Sequence, residues 1–194
     1  LMKRPHIVVI GAGFGGMQAA VSLANSNANV LLIDRNNYNT FVPLLYQVAF
    51  AQLEPGLIAY PVRTLFRRRR NVRFLMASVE QVDLGQKQVK VADDVVFYDY
   101  LVLATGSQTR APKLPGVAEY SWMMRTLAES IALRDHILQC FEQAAHEPDT
   151  FKRQQLLSFV IVGGGATGVE VAGALVELVR CLVRRDYPML HRSD

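Results

Sequence analysis

The chain has 194 residues, 51% of them hydrophobic and 20% charged, with 21 basic against 17 acidic side chains and a net charge of +4. That length holds one full domain, or one domain and the start of another, and the apolar share excludes a disordered chain. The charge excess is too small to argue for nucleic acid without a patch and an aromatic platform. The two cysteines, Cys140 and Cys181, are too few and too far apart for a disulfide framework, a zinc site or a CxxC redox pair.

The chain opens LMKRPHIVVIGAGFGGMQAAVSLA. Two basic residues before an apolar run imitate a signal peptide, but four glycines break the run in a phosphate-loop spacing, and that spacing explains them better. No window approaches the ~20 apolar residues of a transmembrane helix. The nearest, 40–53, contains Pro43, Gln47 and Gln52.

Residues 6–10, HIVVI, read as a buried parallel strand, 14–25 as a helix, and 29–33, NVLLI, as a second buried strand ending at Asp34. Residues 44–53 and 57–68 read as helices with Pro43, Pro55 and Pro61 as boundaries. From Asn71 the texture turns strand-like in VRFLMASVEQV, QVKVAD and VVFYDYLVLAT, with turn signals at Asp83-Leu84-Gly85 and Asp93-Asp94. Residues 105–116 are loop, and 126–146 suit one long helix. Then the opening pattern returns: 158–162, SFVIV, as a strand, and Gly163 opening a helix to about Arg185.

That repeat organises the chain. Gly11-Ala12-Gly13-Phe14-Gly15-Gly16 and Gly163-Gly164-Gly165-Ala166-Thr167-Gly168 are both GxGxxG, each after a strand and before a helix. They lie too far apart to serve one dinucleotide fold, so two nested folds are expected. In the first loop Gly11 permits the tight turn, Gly13 lets the backbone approach a pyrophosphate, and Gly16 lets the helix pack on the sheet. The helix amides then face the phosphates. Asp34, ending the next strand, stands where an acid binds a ribose hydroxyl. The bland alternative is a strand-to-helix turn with no ligand. The second loop has the same entry but no following strand, so its preference between NAD and NADP is unreadable. One strand and one helix cannot bury their own apolar faces, so the second fold looks unfinished and the chain looks truncated relative to the architecture it begins.

Other features stay open. Glu170, in the first turn of the second helix, either complements the helix dipole or works at a site. Pro43, Leu44, Leu45 and Tyr46 read first as core. Tyr46 and Gln47 in an apolar loop-to-helix segment would also line a site for a lipophilic acceptor. Arg67–Arg70, with Arg63 and Arg73, read first as a solvated helix end and second as an anionic lipid contact. His6, His136, His146 and His191 show no metal-ligand spacing. Ser107 has no GxSxG context, which argues against a nucleophile.

FVPLLYQVA at 41–49, DYLVLATGS at 99–107 and FVIVGGGATGVEVAGAL at 159–175 together resemble the pyridine-nucleotide:disulfide-oxidoreductase superfamily. Within it they are similar to the type II, non-proton-pumping NADH:quinone oxidoreductases. The resemblance covers nearly the whole chain and about the first half of the family's length. It implies an α/β fold: a Rossmann-like FAD-binding domain over 1–117, and over 118–194 the start of a second, nested NAD(P)H-binding Rossmann domain. It implies that Gly11, Gly13, Phe14, Gly15 and Gly16, with Asp34 and Arg35, hold the ADP half of FAD. Val79 would contact adenine through its backbone, and Ala104-Thr105-Gly106 would pass the flavin pyrophosphate and mark the crossing between the two folds. Pro43 and Leu44, with Tyr46 and Gln47, would lie along the isoalloxazine. Gly163, Gly165, Ala166, Thr167 and Gly168 would bind NADH, with Glu170 at the nicotinamide–flavin contact.

Two nucleotide sites imply electron transfer between them, from NADH through FAD. A disulfide reductase needs a dithiol beside the flavin, and there is no CxxC here. The expected acceptor is therefore a quinone meeting the flavin along 41–53. The runners-up are a soluble reductase of a ferredoxin- or rubredoxin-type protein, and a nucleotide-binding chain without catalysis. The resemblance further implies peripheral contact with the cytoplasmic face of a membrane in the full-length family, and leaves a homodimer open. The family's later GD motif, its glutamine-containing quinone motif and its C-terminal amphipathic region are absent from this sequence.

Overall fold

The computed structural model describes residues 4–108 and 113–190. In chain order the elements are β1 (His6–Ile10), α1 (Phe14–Leu23), β2 (Asn29–Asp34), β3 (Tyr38–Thr40), α2 (Leu45–Ala49), β4 (Ala59–Pro61), α3 (Val62–Leu65), β5 (Val72–Met76), β6 (Val79–Asp83), β7 (Gln88–Val91), β8 (Asp94–Phe97) and β9 (Tyr100–Leu103). Four helices follow: α4 (Val117–Tyr120), α5 (Leu127–His146), α6 (Thr150–Leu156) and α7 (Ala166–Arg185). The chain packs as two compact units, Leu1–Thr40 with Ala59–Gln108, and Phe41–Ile58 with Thr109–Asp194.

The first unit is built on a parallel sheet in the order β5-β2-β1-β9. The apolar run HIVVI has no polar face because β1 is covered on both sides. Val8 and Val9 point to opposite faces, and both are fully buried. On one face Ile7, Val9 and Leu32 pack with Ala20 of α1, with Ala24 at its C-cap and with Phe66 and Phe74. On the other, Val8, Ile10 and Ile33 pack with Val89, Val91 and Tyr98 of the antiparallel β6-β7-β8 layer. Each fully buried Val, Leu or Ile contributes on the order of 1.5–3 kcal/mol, so this double cover is the main source of the unit's stability.

The second unit is helical. Ile137, Phe141 and Ala144 of α5 pack with Ala49 of α2 and with Ala174 and Leu178 of α7. Helix α5 begins with a full capping box: the Thr126 hydroxyl accepts from the Glu129 amide, and the Glu129 carboxylate accepts from the Thr126 amide. Such a cap is worth about 1 kcal/mol. Beyond α7, the buried Tyr187 donates its hydroxyl to Glu142 of α5 at 2.7 Å.

Three readings of the sequence need correction. The helix expected over 44–53 covers only α2, after a 3-10 turn at Val42–Leu44. Ala51 enters the left-handed region at φ 55, and the Gln52 amide folds back onto the Gln47 carbonyl at 2.8 Å. This is the usual helix stop, made without the glycine that normally signals it. The helix expected over 57–68 is divided by Pro61, which closes β4 against Tyr38 of β3 before α3 starts at Val62. The strand expected over 158–162 does not form: the segment carries no regular structure and pairs with no strand among the described residues. Val160 and Val162 are 88% and 61% exposed. A strand exists only through its pairing, and apolar patterning cannot supply the partner. Helix α6, capped by Asp149, was not anticipated.

Candidate functional site

In the first unit the glycine loop joins β1 to α1. Gly11 has φ 101, and its amide donates to the Ile33 carbonyl at 2.8 Å, tying the turn to β2. A side chain at Gly11 would strike the Ala104 carbonyl, and one at Gly16 would strike the Gly11 carbonyl. These two glycines are thus required by close backbone approach. Gly13 differs: a Cβ there would meet no protein atom within 4 Å. It is the N-cap of α1 with no side-chain cap, so the opening turn of the helix faces space that a phosphate could occupy. This is the geometry expected where only a ligand asks for glycine.

Asp34 lies at the end of β2 beside this loop. One carboxylate oxygen accepts from the Ala12 amide at 2.6 Å and the other from the Asn36 amide at 2.8 Å. The acid is thereby held, half-buried, against the loop. Asn39 completes the brace, donating through Nδ2 to the Ala12 carbonyl at 2.6 Å. Its signal was present in the sequence only as an asparagine on a short edge strand, which usually means a turn. Arg35 is exposed next to Asp34. Ala104 follows β9 and donates its amide to the Ile10 carbonyl at 2.8 Å, which places Ala104-Thr105-Gly106 directly against the glycine loop. Gly106 takes φ 73, and Thr105 is exposed. Met76 pairs with Asp34, and Val79 opens β6 three positions on. Part of the 105–116 loop (109–112) and His191 lie outside the described residues.

The second unit holds the remaining candidates. Gly163 has φ 110, and a side chain at Gly168 would strike the Gly163 carbonyl, repeating the relation of Gly11 to Gly16. Gly165, like Gly13, has nothing within 4 Å of its Cβ position, and Ala166 and Thr167 open α7 in full exposure. Because α7 begins at Ala166, Glu170 falls just beyond its first turn, not within it as the sequence suggested. The macrodipole account of this acid weakens accordingly. Glu170 is exposed. Pro43 is exposed, Leu44, Tyr46 and Gln47 are half-buried, and Tyr46 packs against the α5–α7 cluster. The α2 segment is tied to α7 by Gln52 Nε2 donating to Glu177 at 2.7 Å.

The thiols serve neither loop. Cys140 is buried on α5, where burial pushes its pKa up, with Sγ 3.7 Å from His136 Nε2. Cys181 is exposed on α7. Among the described residues no group of three His, Cys, Asp or Glu stands together as a metal site.

With one glycine loop per unit, and the acid, the ATG turn and the loop assembled in the first, comparison with known proteins decides the family. The profile of the pyridine nucleotide-disulphide oxidoreductases matches residues 5–194. The chain belongs to the pyridine nucleotide-disulphide oxidoreductase family. Type II NADH:quinone oxidoreductase Ndh of Mycobacterium tuberculosis is 39% identical over 180 residues, covering 91% of this chain and 39% of that protein. External NADH-ubiquinone oxidoreductase 2 of Saccharomyces cerevisiae mitochondria is 31% identical over 202 residues, covering 99% of this chain and 37% of the yeast protein. NDH2 of Plasmodium falciparum, solved with NADH, superimposes with a TM-score of 0.88 at 24% identity, over 96% of this chain and 39% of that one. This member of the family therefore spans about two fifths of the relatives it matches. Its α/β parallel-sheet fold is that of the family.

Proposed function

We propose that this chain supplies the FAD-binding part, and the opening of the NADH-binding part, of a flavoprotein that passes electrons from NADH to a quinone. One observation carries the reading: two glycine loops that each open a helix, with matching first-glycine φ values and a middle glycine that faces open space. In this reading 1–117 belong to the FAD-binding domain and 118–194 open the NAD(P)H-binding domain. The residues present fit the ADP half of FAD. Gly13 leaves room for a pyrophosphate, the start of α1 faces it, and Asp34 is held beside the loop for a ribose hydroxyl. Phe14, Gly15, Arg35, Val79 and Ala104-Thr105-Gly106 complete that site. Gly163, Gly165, Ala166, Thr167 and Gly168 hold NADH, and Glu170 orients it.

FAD, when bound, would supply the redox chemistry between NADH and the acceptor. The protein's part is alignment and exclusion of water. Pro43, Leu44, Tyr46 and Gln47 offer an apolar wall with two polar groups, suited to a lipophilic acceptor. The relatives named for NADH and quinone support that choice over a protein carrier. No helix among the described residues is long and apolar enough to cross a membrane. Peripheral attachment at a cytoplasmic membrane face is the arrangement proposed for the whole protein, and self-association as a homodimer remains part of the proposal.

The test begins with flavin uptake by the purified chain, read by quenching of flavin fluorescence, and continues with visible absorbance before and after NADH without oxygen. Uptake that Gly13→Val abolishes without changing the circular dichroism is expected. A colourless chain that ignores added FAD overturns the reading for this chain. Faster electron delivery to a rubredoxin-type carrier than to a quinone overturns the acceptor assignment.

A further inference from the structure

The parallel sheet has two ends, and only one is used by the glycine loop. Strands β1, β2, β5 and β9 all finish at the loop end, so His6, Asn29, Val72 and Tyr100 begin at the opposite edge. A five-residue strand separates the two edges by about 15 Å. The arginines gather at the second edge. Arg4 lies just before β1, Arg67–Arg70 run directly into β5, and Arg73 is the second residue of β5. All six are exposed. Among the described residues none of them pairs with a carboxylate within salt-bridge distance. Ion pairs such as Lys90–Glu80 and Arg134–Asp135 lie elsewhere. Arg69 is anchored instead by a neutral partner, Asn25, at 2.6 Å.

A cavity of about 700 Å³ opens at this edge, between β5 and the β8–β9 crossover. Arg4, Arg70 and Arg73 line it together with His6, Phe97 and Asp99. Its single carboxylate is engaged by the backbone: one oxygen of Asp99 accepts from the His6 amide at 2.6 Å. His6 donates Nδ1–H to the Phe97 carbonyl at 2.7 Å, which leaves Nε2 as its free nitrogen. Phe97 is 64% exposed on the rim. Three guanidinium groups around one carboxylate leave a concave, positively charged wall. Guanidinium forks match phosphate oxygens in geometry and charge. Solvated helix ends carry basic residues too, but they do not line a cavity with arginines drawn from two separate segments of the chain.

We infer that the Arg4–Arg70–Arg73 cavity is a second anion site, built for a phosphate-bearing ligand, on the edge opposite the glycine loop. A soluble polyphosphate ester and the headgroup of an anionic lipid share that chemistry. Either could bind while the glycine loop is filled.

The experiment is calorimetric titration of the 194-residue chain with inorganic tripolyphosphate, and flotation of the same chain with phosphatidylglycerol vesicles. Both are run on the wild type, Arg4→Gln, the double variant R70Q/R73Q, and Gly13→Val as the glycine-loop control. Tripolyphosphate binding that weakens at least about tenfold in R70Q/R73Q, weakens in Arg4→Gln and persists in Gly13→Val supports a soluble polyphosphate ligand. Vesicle binding lost in the same arginine variants, with no tripolyphosphate binding, supports the site with a lipid headgroup as its source. Binding unchanged in the arginine variants, or no binding to either probe, overturns the inference. Arg4 precedes the sheet, so its variant keeps the test valid if the double variant fails to fold. Loss of flavin uptake in Gly13→Val alone concerns the glycine loop and leaves this inference standing.

Discussion

Gly11 and Gly163 turn their chains at nearly the same φ, 101 and 110, and Gly16 and Gly168 each stand where a side chain would strike the carbonyl of the loop's first glycine. Behind the first loop is a strand paired on both sides, with β2 and β9. Behind the second is a segment without a strand, whose Val160 and Val162 lie open. Loop shape is thus written locally, in the spacing of three glycines, and survives without the sheet. Strand structure is written in other parts of a chain and does not. What steadies the second loop is its helix: α7 is fixed on α5 through Phe141, Ala174 and Leu178, and the chain just beyond it through Tyr187.

Hydrogen exchange gives the widest separation between the two regions. The amides of Ile7–Ile10 are expected to exchange several orders of magnitude more slowly than those of 159–162, because the first set opens only with the unit and the second has no ladder to open. Mass-spectrometric exchange that found equal protection would show a hidden support behind the second loop. Valine scanning sharpens the contrast. Gly16→Val drives a side chain into backbone at a turn clamped by β2 and Ala104, and should cost roughly 3 kcal/mol or more in urea unfolding. Gly168→Val meets a carbonyl at the end of an unpaired segment that can yield, and should cost clearly less. Equal costs would mean the second loop is as clamped as the first.

The smallest effect concerns the anchor of the second region. Burial first, then the hydrogen bond to Glu142 and the charges of Glu142 and Asp186, push the Tyr187 phenol up to about 12. The fold therefore favours the protonated phenol. That stability is fully present below pH 10, the ordinary tyrosine value, and is lost as pH climbs from about 10 towards 12. Tyr187→Phe should show a flatter alkaline limb in chemical unfolding than the wild type. An identical limb would remove Tyr187 as the anchor.

Much of the first unit was readable because its signals are local and agree. HIVVI and the glycine spacing predict a strand and a turn, and both form, with Asp34 ending the next strand. The long helix expected over 126–146 likewise forms, as α5. The errors fall where the deciding contact is remote or chemically unmarked. SFVIV has the apolar content of a strand, but pairing depends on a neighbour. Ala51 ends α2 in a conformation that glycine usually signals, so the stop was invisible. Pro61 was recognised as a boundary, yet the pairing of β4 with Tyr38 could not be read from it. Asn39 was missed because bracing the Ala12 carbonyl requires two chain segments to meet.

The position of β9 in the sheet has a consequence for how the protein is made. His6 bonds through its amide to Asp99, 93 residues later, and the Ala104 carbonyl packs against Gly11 only when β9 has joined β1. At the usual pace of synthesis, about 5–20 residues per second, the first strand waits on the order of 5–20 s for its second neighbour. During that time VVI has one flank exposed, and the glycine turn lacks the wall that defines it. Non-local pairing of this kind slows folding and lengthens exposure to aggregation. The opening stretch of the chain, which carries the clearest signal in the sequence, is therefore among the last parts to reach its final surroundings.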